Sequence, residues 1–369
     1  LFQNENGDYL TEGETFRQPK LAHTLRQVAS KGPDYMYTGK WGKRFVKAVR
    51  KIGGKITNND MSRYKAVWVE PIRSTYRGYE INAGGLPAFG GIDTVESLHL
   101  LELSDAKSFG HYTDSAQSLF WTMQASSAQV LSYMPAWRLK LQFPDLDLSL
   151  QSRTKKATSE HIWERMQNGT WPFSHKFQHT PPNHSDSVVV ADSSGNVAVI
   201  THTIYTAGWG TGLIIDGVSI SDVGAHQQDR IQRAGAGKPF PDELSALIVR
   251  LDDKPILACS TMGSGIRFKL LQVLSSVLDF DMDVKTANDQ PAYMLPTWTD
   301  TGSIHRVLTG EFDTSLLDEV RAMGQPIQEL APGDPSVLPG YWTGIQRDPK
   351  TGKLTASVPR NFNGLAEGY

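Results

Sequence analysis

Ser185 stands at the head of an apolar run, Ser187-Val188-Val189-Val190-Ala191, that leads into the turn Asp192-Ser193-Ser194-Gly195-Asn196. A hydroxyl at the start of a strand can attack the peptide carbonyl that precedes it, here that of His184. Once that bond is cut, the freed α-amino group can act as the hydroxyl's own general base. Such an amine, with an unperturbed pKa of about 7.7 to 8.0, can take up the hydroxyl proton near neutral pH during attack on an amide. Ser187 offers a second hydroxyl in the same run and stays open as an alternative. The position divides the chain into 1–184 and 185–369.

Other chemistries fit less well. Met262-Gly263-Ser264-Gly265-Ile266 lacks the outer glycines of a serine-hydrolase elbow. His175 and His179 are four apart, yet no Glu follows the first and prolines flank them, which argues against a zinc-binding helix. Gly235-Ala236-Gly237-Lys238 runs into Pro239 and has Gln232 where a phosphate loop needs Gly, so it reads as a connection. Gly208-Trp209-Gly210-Thr211-Gly212 suits either a close approach to a ligand or a plain turn.

The elements that must position Ser185 follow from periodicity. Residues 187–191 and 197–204 flank the Ser-Gly-Asn turn and predict a hairpin. Apolar residues at helical spacing predict two helices between Pro19 and Arg50, stopped at Gly32-Pro33 and at Gly53-Gly54. Thr57 with Asp60 opens a short third helix, and strands are expected at 66–70 and 76–81. A helix is expected from Thr94 to Leu103, helical structure through 104–135, and a long irregular excursion over 136–183. Short strands follow at 213–215 and 218–220, an antiparallel pair at 246–251 and 256–259, and a long amphipathic helix at 266–280 behind Gly263-Ser264-Gly265.

With 369 residues and 39% hydrophobic content, the chain can build a sizeable core without staples. A formal charge of -2 gives no global field toward nucleic acid or anionic lipid, so neither is an expected partner. The apolar runs are far shorter than the roughly 20 residues that span a bilayer. Cys259 is the single cysteine, which excludes an internal disulfide and a thiolate metal cage and leaves the compartment open. Leu1 is not an initiator Met, so an upstream portion of a precursor is expected.

The whole pattern resembles the γ-glutamyltranspeptidase family of N-terminal nucleophile hydrolases. Before Ser185 the likeness is carried by Gln18-Pro19-Lys20-Leu21-Ala22, Lys31-Gly32-Pro33-Asp34, Gly53-Gly54-Lys55-Ile56-Thr57 and Tyr76-Arg77-Gly78-Tyr79-Glu80. After it come the 192–196 turn, Gly210-Thr211-Gly212, the loop and helix from Ser260 to Gln272, Asn288 with Pro291, and Pro359-Arg360. The resemblance implies an α+β fold, a four-layer αββα sandwich in which 1–184, matching the later part of the large subunit, and 185–369, matching the small subunit, form one core. In the family a Thr nucleophile stands seven residues before the turn Asp, and Ser185 keeps that distance to Asp192.

The resemblance further implies Thr203 as the hydroxyl that orients the nucleophile, and the backbone amides of Met262 and Gly263 as the oxyanion hole. Where family members anchor a γ-glutamyl donor, this chain has Tyr205, Asp242-Glu243, and Val223 with His226. Two carboxylates in place of neutral hydroxyls would repel a donor carboxylate by about 1 to 4 kcal/mol at 4 Å. The expected substrate is therefore a small-molecule amide or peptide other than a plain γ-glutamyl one, as in the acylase-like members. No metal or organic cofactor is implied, and the resemblance points to a periplasmic or secreted setting with a cytoplasmic one open. The rival reading is a catalytically silent member that acts as a binding or structural protein.

Overall fold

The computed structural model describes residues 3, 7–168, 185–204, 210–298, 302–359 and 364–368, except the side chains of residues 223, 226, 229, 233 and 295. The chain forms two compact units, one of residues 1–68 and 206–228, the other of 69–205 and 229–369. Each draws on sequence from both sides of Ser185. Among the described residues no helix is long and apolar enough to cross a membrane.

The smaller unit is helical. Pro19 starts a helix to Lys31, which Gly32 ends in the left-handed region at φ +73°. A helix follows at Lys40–Lys51, and Asn58–Arg63 opens with a reciprocal cap in which Thr57 and Asp60 satisfy each other's backbone N–H groups. A two-stranded turn, Ile214–Ile215 with Val218–Ser219, is tied to these helices by Trp41 Nε1 donating to the Ile215 carbonyl at 3.1 Å.

The larger unit is built on a six-stranded antiparallel sheet. Its order is Ile72–Tyr76, Tyr79–Ala83, Leu247–Leu251, Lys254–Gly263, Gly340–Arg347 and Leu354–Ser357. Two of its hairpins turn through paired residues at positive φ, Arg77-Gly78 and Asp252-Asp253, as tight two-residue connections require. Alternation along Lys254–Gly263 gives the strand two roles. Leu257 and Cys259 enter the main core with Leu270, Leu271 and Leu274 of the helix Ile266–Phe280, while Ser260 points the other way. Ile266 to Asp279 is buried throughout, as is Gly90 to Leu101 in the helix Gly90–Leu103, so both lie inside the unit.

On the sheet face that Ser260 occupies lies the hairpin Ser185–Ala191 with Val197–Thr203, packed across Lys254–Gly263 and Gly340–Arg347. Helices, sheet and hairpin thus make three layers. The outward side of the hairpin carries Val188, Val190 and Ile200 at 53, 55 and 62% exposure, so among the described residues a fourth layer is not seen. A separate three-stranded sheet, Ile327–Leu330, Ser303–Leu308 and Tyr293–Trp298, closes a second core over the helix Thr314–Ala322.

Several sequence expectations shift. Residues 66–70 form no strand: Val67 and Trp68 are exposed at 74 and 103%, and the strand begins after Pro71 at Ile72, where Tyr79–Ala83 offers a partner. The segment 136–183 contains helices Ala136–Gln142 and Lys156–Gln167. The strands and helix beyond Asp289 complete the sheets without having been anticipated.

Candidate active site

The hairpin pairs in an unbroken register, from Ser185 opposite Thr203 to Ala191 opposite Val197. Its turn is fixed by Asp192, whose carboxylate accepts from the Asn196 backbone N–H and side-chain amide, both at 2.8 Å. Period-two alternation then divides the side chains. Ser185, Ser187 and Val189 with Thr203, Thr201 and Val199 take the half-buried face, while Asp186, Val188 and Val190 take the exposed one. Opposed residues hold their β-carbons about 4.5–5.5 Å apart, so the Ser185 and Thr203 side chains are neighbours at the open end of the hairpin.

The half-buried face is anchored to the sheet. Thr201 Oγ1 and Ser260 Oγ are 2.5 Å apart. Two residues on from Ser260, Met262 shares its strand face, is buried, and borders a cleft of about 280 Å³ with Ser187 and Val189 of the hairpin. Gly263 ends the strand at φ +84°, where a β-carbon would stand 2.8 Å from the Pro339 carbonyl and 2.9 Å from the Tyr341 ring. Gly265 donates its N–H to the Pro339 carbonyl at 3.0 Å, after which the helix Ile266–Phe280 begins. The loop 263–265 thus packs against 338–341, with no room for a β-carbon at Gly263 or Gly265. Ser187 Oγ, Thr261 Oγ1 and Ser264 Oγ are buried and have no hydrogen-bond partner among the described residues. Ser187, the alternative nucleophile, has no base hydrogen-bonded to its hydroxyl among the described residues.

Asp242 and Glu243 differ from each other. Asp242 accepts the Leu244 N–H at 2.9 Å, and burial pushes its carboxyl above the usual carboxylate range. Its backbone carbonyl accepts from Phe89 N–H at 2.7 Å, which aligns the loop beside the start of the helix Gly90–Leu103. Glu243 turns inward. Its carboxylate accepts from the Tyr133 hydroxyl and lies 3.4 Å from Arg230 Nη2 and 3.8 Å from Arg267 Nη2. This corrects the expectation of two open anions facing a substrate: Glu243 is 6% exposed, and its charge is matched by guanidinium groups inside the unit.

Glu243 belongs to a buried cluster that sequence reasoning missed. Arg267 Nη1 donates to Asp93 and its Nη2 to the Tyr133 oxygen; Arg153 holds Asp93 at 2.8 Å and Glu96 through Nε at 2.9 Å. Burial raises the Glu96 carboxyl while Arg153 opposes the rise. The sequence signal was there, since Asp93, Glu96 and Arg267 interrupt otherwise apolar helical runs, where a charge needs a partner. Through Arg267 the cluster joins the helix behind the glycine loop to the segment carrying Asp242.

Tyr205 lies outside the described residues, as do His184, His175, His179 and Trp209. His226 ends the short helix Val223–His226, and its side chain, like that of Val223, lies outside the described residues. The loop 235–238 is a turn after the helix Gln228–Ala234. Among the described residues no group of three or more His, Cys, Asp or Glu side chains could hold a metal ion. Burial pushes the Cys259 thiol up to about 12, which suits a packing role within the core.

The sequence model of the γ-glutamyltranspeptidase family matches residues 1–366. The glutathione hydrolase proenzyme of Escherichia coli K12 is 27% identical over 99% of this chain and 64% of its own length; that of Bacillus subtilis 168 is 29% identical over 98% and 63%. The acylase ACY 1 proenzyme of Pseudomonas sp. SE83 is 27% identical over 80% of this chain and 52% of its length. Among solved structures, the cephalosporin acylase from Bacillus halodurans superposes with a TM-score of 0.75 at 20% identity, covering 99% of this chain and 65% of that one. The chain therefore spans just under two thirds of the length of the two glutathione hydrolase proenzymes and about half that of the acylase proenzyme, and its fold is that of the acylase structure.

Proposed function

The chain belongs to the γ-glutamyltranspeptidase family, and on that premise we propose that it is an amide-bond hydrolase or acyltransferase whose nucleophile is the Ser185 hydroxyl. The observation that carries the reading is the register of Ser185 against Thr203 on a hairpin tied to the strand that ends at Met262-Gly263.

Maturation begins when Ser185 Oγ attacks the His184 carbonyl carbon. The peptide C–N bond breaks as the C–O ester forms, and the proton passes to the departing nitrogen. Water then hydrolyses the ester, leaving a carboxylate on His184 and a free α-amine and hydroxyl on Ser185. In turnover, that amine takes the hydroxyl proton as Oγ attacks the substrate amide, and returns it to the leaving amine. Thr203 orients Oγ from the facing strand. The backbone amides of Met262 and Gly263 stabilise the oxyanion, a role that asks nothing of the Met262 side chain. Water or an amine resolves the acyl-enzyme.

The donor differs from a plain γ-glutamyl peptide. The family resemblance assigns Asp242 to the donor's site, and Glu243 supports the loop from inside through Arg230 and Arg267. Asp242 disfavours a donor carboxylate there. The complete fold is the four-layer αββα sandwich, with the hairpin and the six-stranded sheet as its two inner layers. Mass measurement under denaturing conditions tests the reading: the unaltered protein splits between His184 and Ser185, Ser187→Ala splits as well, and Ser185→Ala stays whole and inactive. Splitting or turnover by Ser185→Ala overturns the assignment. A protein that never splits supports instead a silent member with a binding role.

A further inference from the structure

Behind the loop that carries Asp242 and Glu243 lies a cavity of about 510 Å³, within the range of small-molecule sites. Phe89 and Tyr133 meet edge to face, with centroids 5.9 Å apart, and form one aromatic wall; Leu150 lies on the lining and Trp137, 68% exposed, stands there toward solvent. Arg153 and Arg230, both more than nine-tenths buried, supply the charged part of the lining, and Ser132 and Ser149 add hydroxyls to it. The Arg230 guanidinium lies 5.5 Å from the Tyr133 ring centroid and 5.8 Å from that of Phe89. Pro241, next to Asp242, completes the wall.

We propose that this cavity receives an uncharged aromatic group, the acyl end of the donor, adding an apolar subsite to the site proposed above and resting on the reading of 242–243 as the donor loop. The charge pattern selects against ions. The three guanidinium groups of Arg153, Arg230 and Arg267 face the three carboxylates of Asp93, Glu96 and Glu243. An anion would share Arg230 with Glu243 and meet that carboxylate's repulsion, and a cation would meet guanidinium groups across the lining. A neutral ring leaves the pairs intact and covers the apolar surface of the cavity, and its faces and edges match the aromatic wall. Two hydrogen bonds link the cavity wall to the segments assigned to the reaction centre. Tyr133 donates to Glu243, one residue from Asp242, and Arg267 grips Tyr133 from the helix that starts just after Gly263-Ser264-Gly265.

Titration of the Ser185→Ala protein with benzamide, benzoate and glutamine, read by tryptophan fluorescence with and without Trp137→Phe, tests binding apart from catalysis. Benzamide should give a saturable change that needs Trp137, with benzoate and glutamine weaker by about tenfold or more. Leu150→Trp and Ala234→Phe, which fill the cavity from two sides, should each weaken benzamide by at least about tenfold at unchanged melting temperature. If one of them fails to fold, the other decides. No saturable binding, benzoate as tight as benzamide, or indifference to the filling variants overturns the proposal. In the active protein, Leu150→Trp should raise KM for an aroyl amide about tenfold and leave an acetyl amide unchanged. An unchanged aroyl KM overturns the donor assignment even where benzamide binds. Turnover by Ser185→Ala, by contrast, refutes the nucleophile and leaves the binding result standing.

Discussion

Thr201 and Ser260 bring their side-chain oxygens within 2.5 Å of each other, and this contact joins the hairpin that begins at Ser185 to the strand that ends at Gly263. Ser260 is fully buried, so removing its partner strands a hydroxyl away from water. Thr201→Val keeps the shape and deletes the bond. It should destabilise the protein by about 1–3 kcal/mol in urea unfolding and slow chain splitting; unaltered stability and splitting would show that the bridge is immaterial.

Gly263→Ala tests the glycine loop. Its φ of +84° disfavours any β-carbon, and the one added would crowd the Pro339 carbonyl. The loop must shift, at a stability cost of at least about 1 kcal/mol. With the proposed oxyanion amides displaced, kcat/KM should fall by about 10²–10³. Steady-state kinetics beside a thermal melt separates the two effects, and full activity would remove Gly263 from the site.

Glu243→Gln keeps the volume and removes the charge that faces Arg230 and Arg267. A buried guanidinium left short of its counter-ion should cost about 3 kcal/mol, measured by denaturant unfolding. Were Glu243 a substrate-facing anion instead, the change would move KM and leave stability within about 0.5 kcal/mol of the original.

Acid should weaken the fold in a defined window. Burial holds His99 down to about 4 and His305 down to about 3, each beside a serine hydroxyl, Ser74 and Ser127. The unfolded chain protonates these rings near pH 6.5 and the folded one resists. The unfolded state thus binds more protons below that pH, and stability, complete above about pH 6.5, falls as the pH drops toward 4 and 3. Each ring adds up to about 1.4 kcal/mol per pH unit within its window. Denaturant midpoints of the unsplit Ser185→Ala protein between pH 7.5 and 4.5 (roughly three units) should show the decline; a flat profile contradicts buried neutral histidines.

How much of this was legible in the sequence depends on whether the deciding interaction is local. The hairpin was, because alternation over 187–191 and the Asp192–Asn196 turn are set by neighbours along the chain. Val67 to Val69 have strand-forming side chains and still form no strand, since pairing needs a partner that the local sequence does not encode. The strand Gly340–Arg347 hides for a related reason. Its Gly344 sits where the fully buried Trp342 ring occupies the space a β-carbon would need. At the site, Ser185 and Thr203 were singled out by the family resemblance, and the alternation of the hairpin sets them opposite each other. Asp242-Glu243 looked like one acidic pair, and only the fold distinguishes a loop carboxyl from one enclosed by Arg230, Arg267 and Tyr133.

The strand order of the six-stranded sheet means that a nick is not a release. Tyr79–Ala83, from ahead of position 184, is hydrogen-bonded rung by rung to Leu247–Leu251, from behind it, with Arg250 reaching back to Glu80 at 3.1 Å. Tyr76 likewise donates to Asp279 at 2.6 Å across the same divide. Severing the bond before Ser185 would therefore change the number of chains and leave the woven body whole, so two such products would travel as a single particle until a denaturant unpicked the ladder.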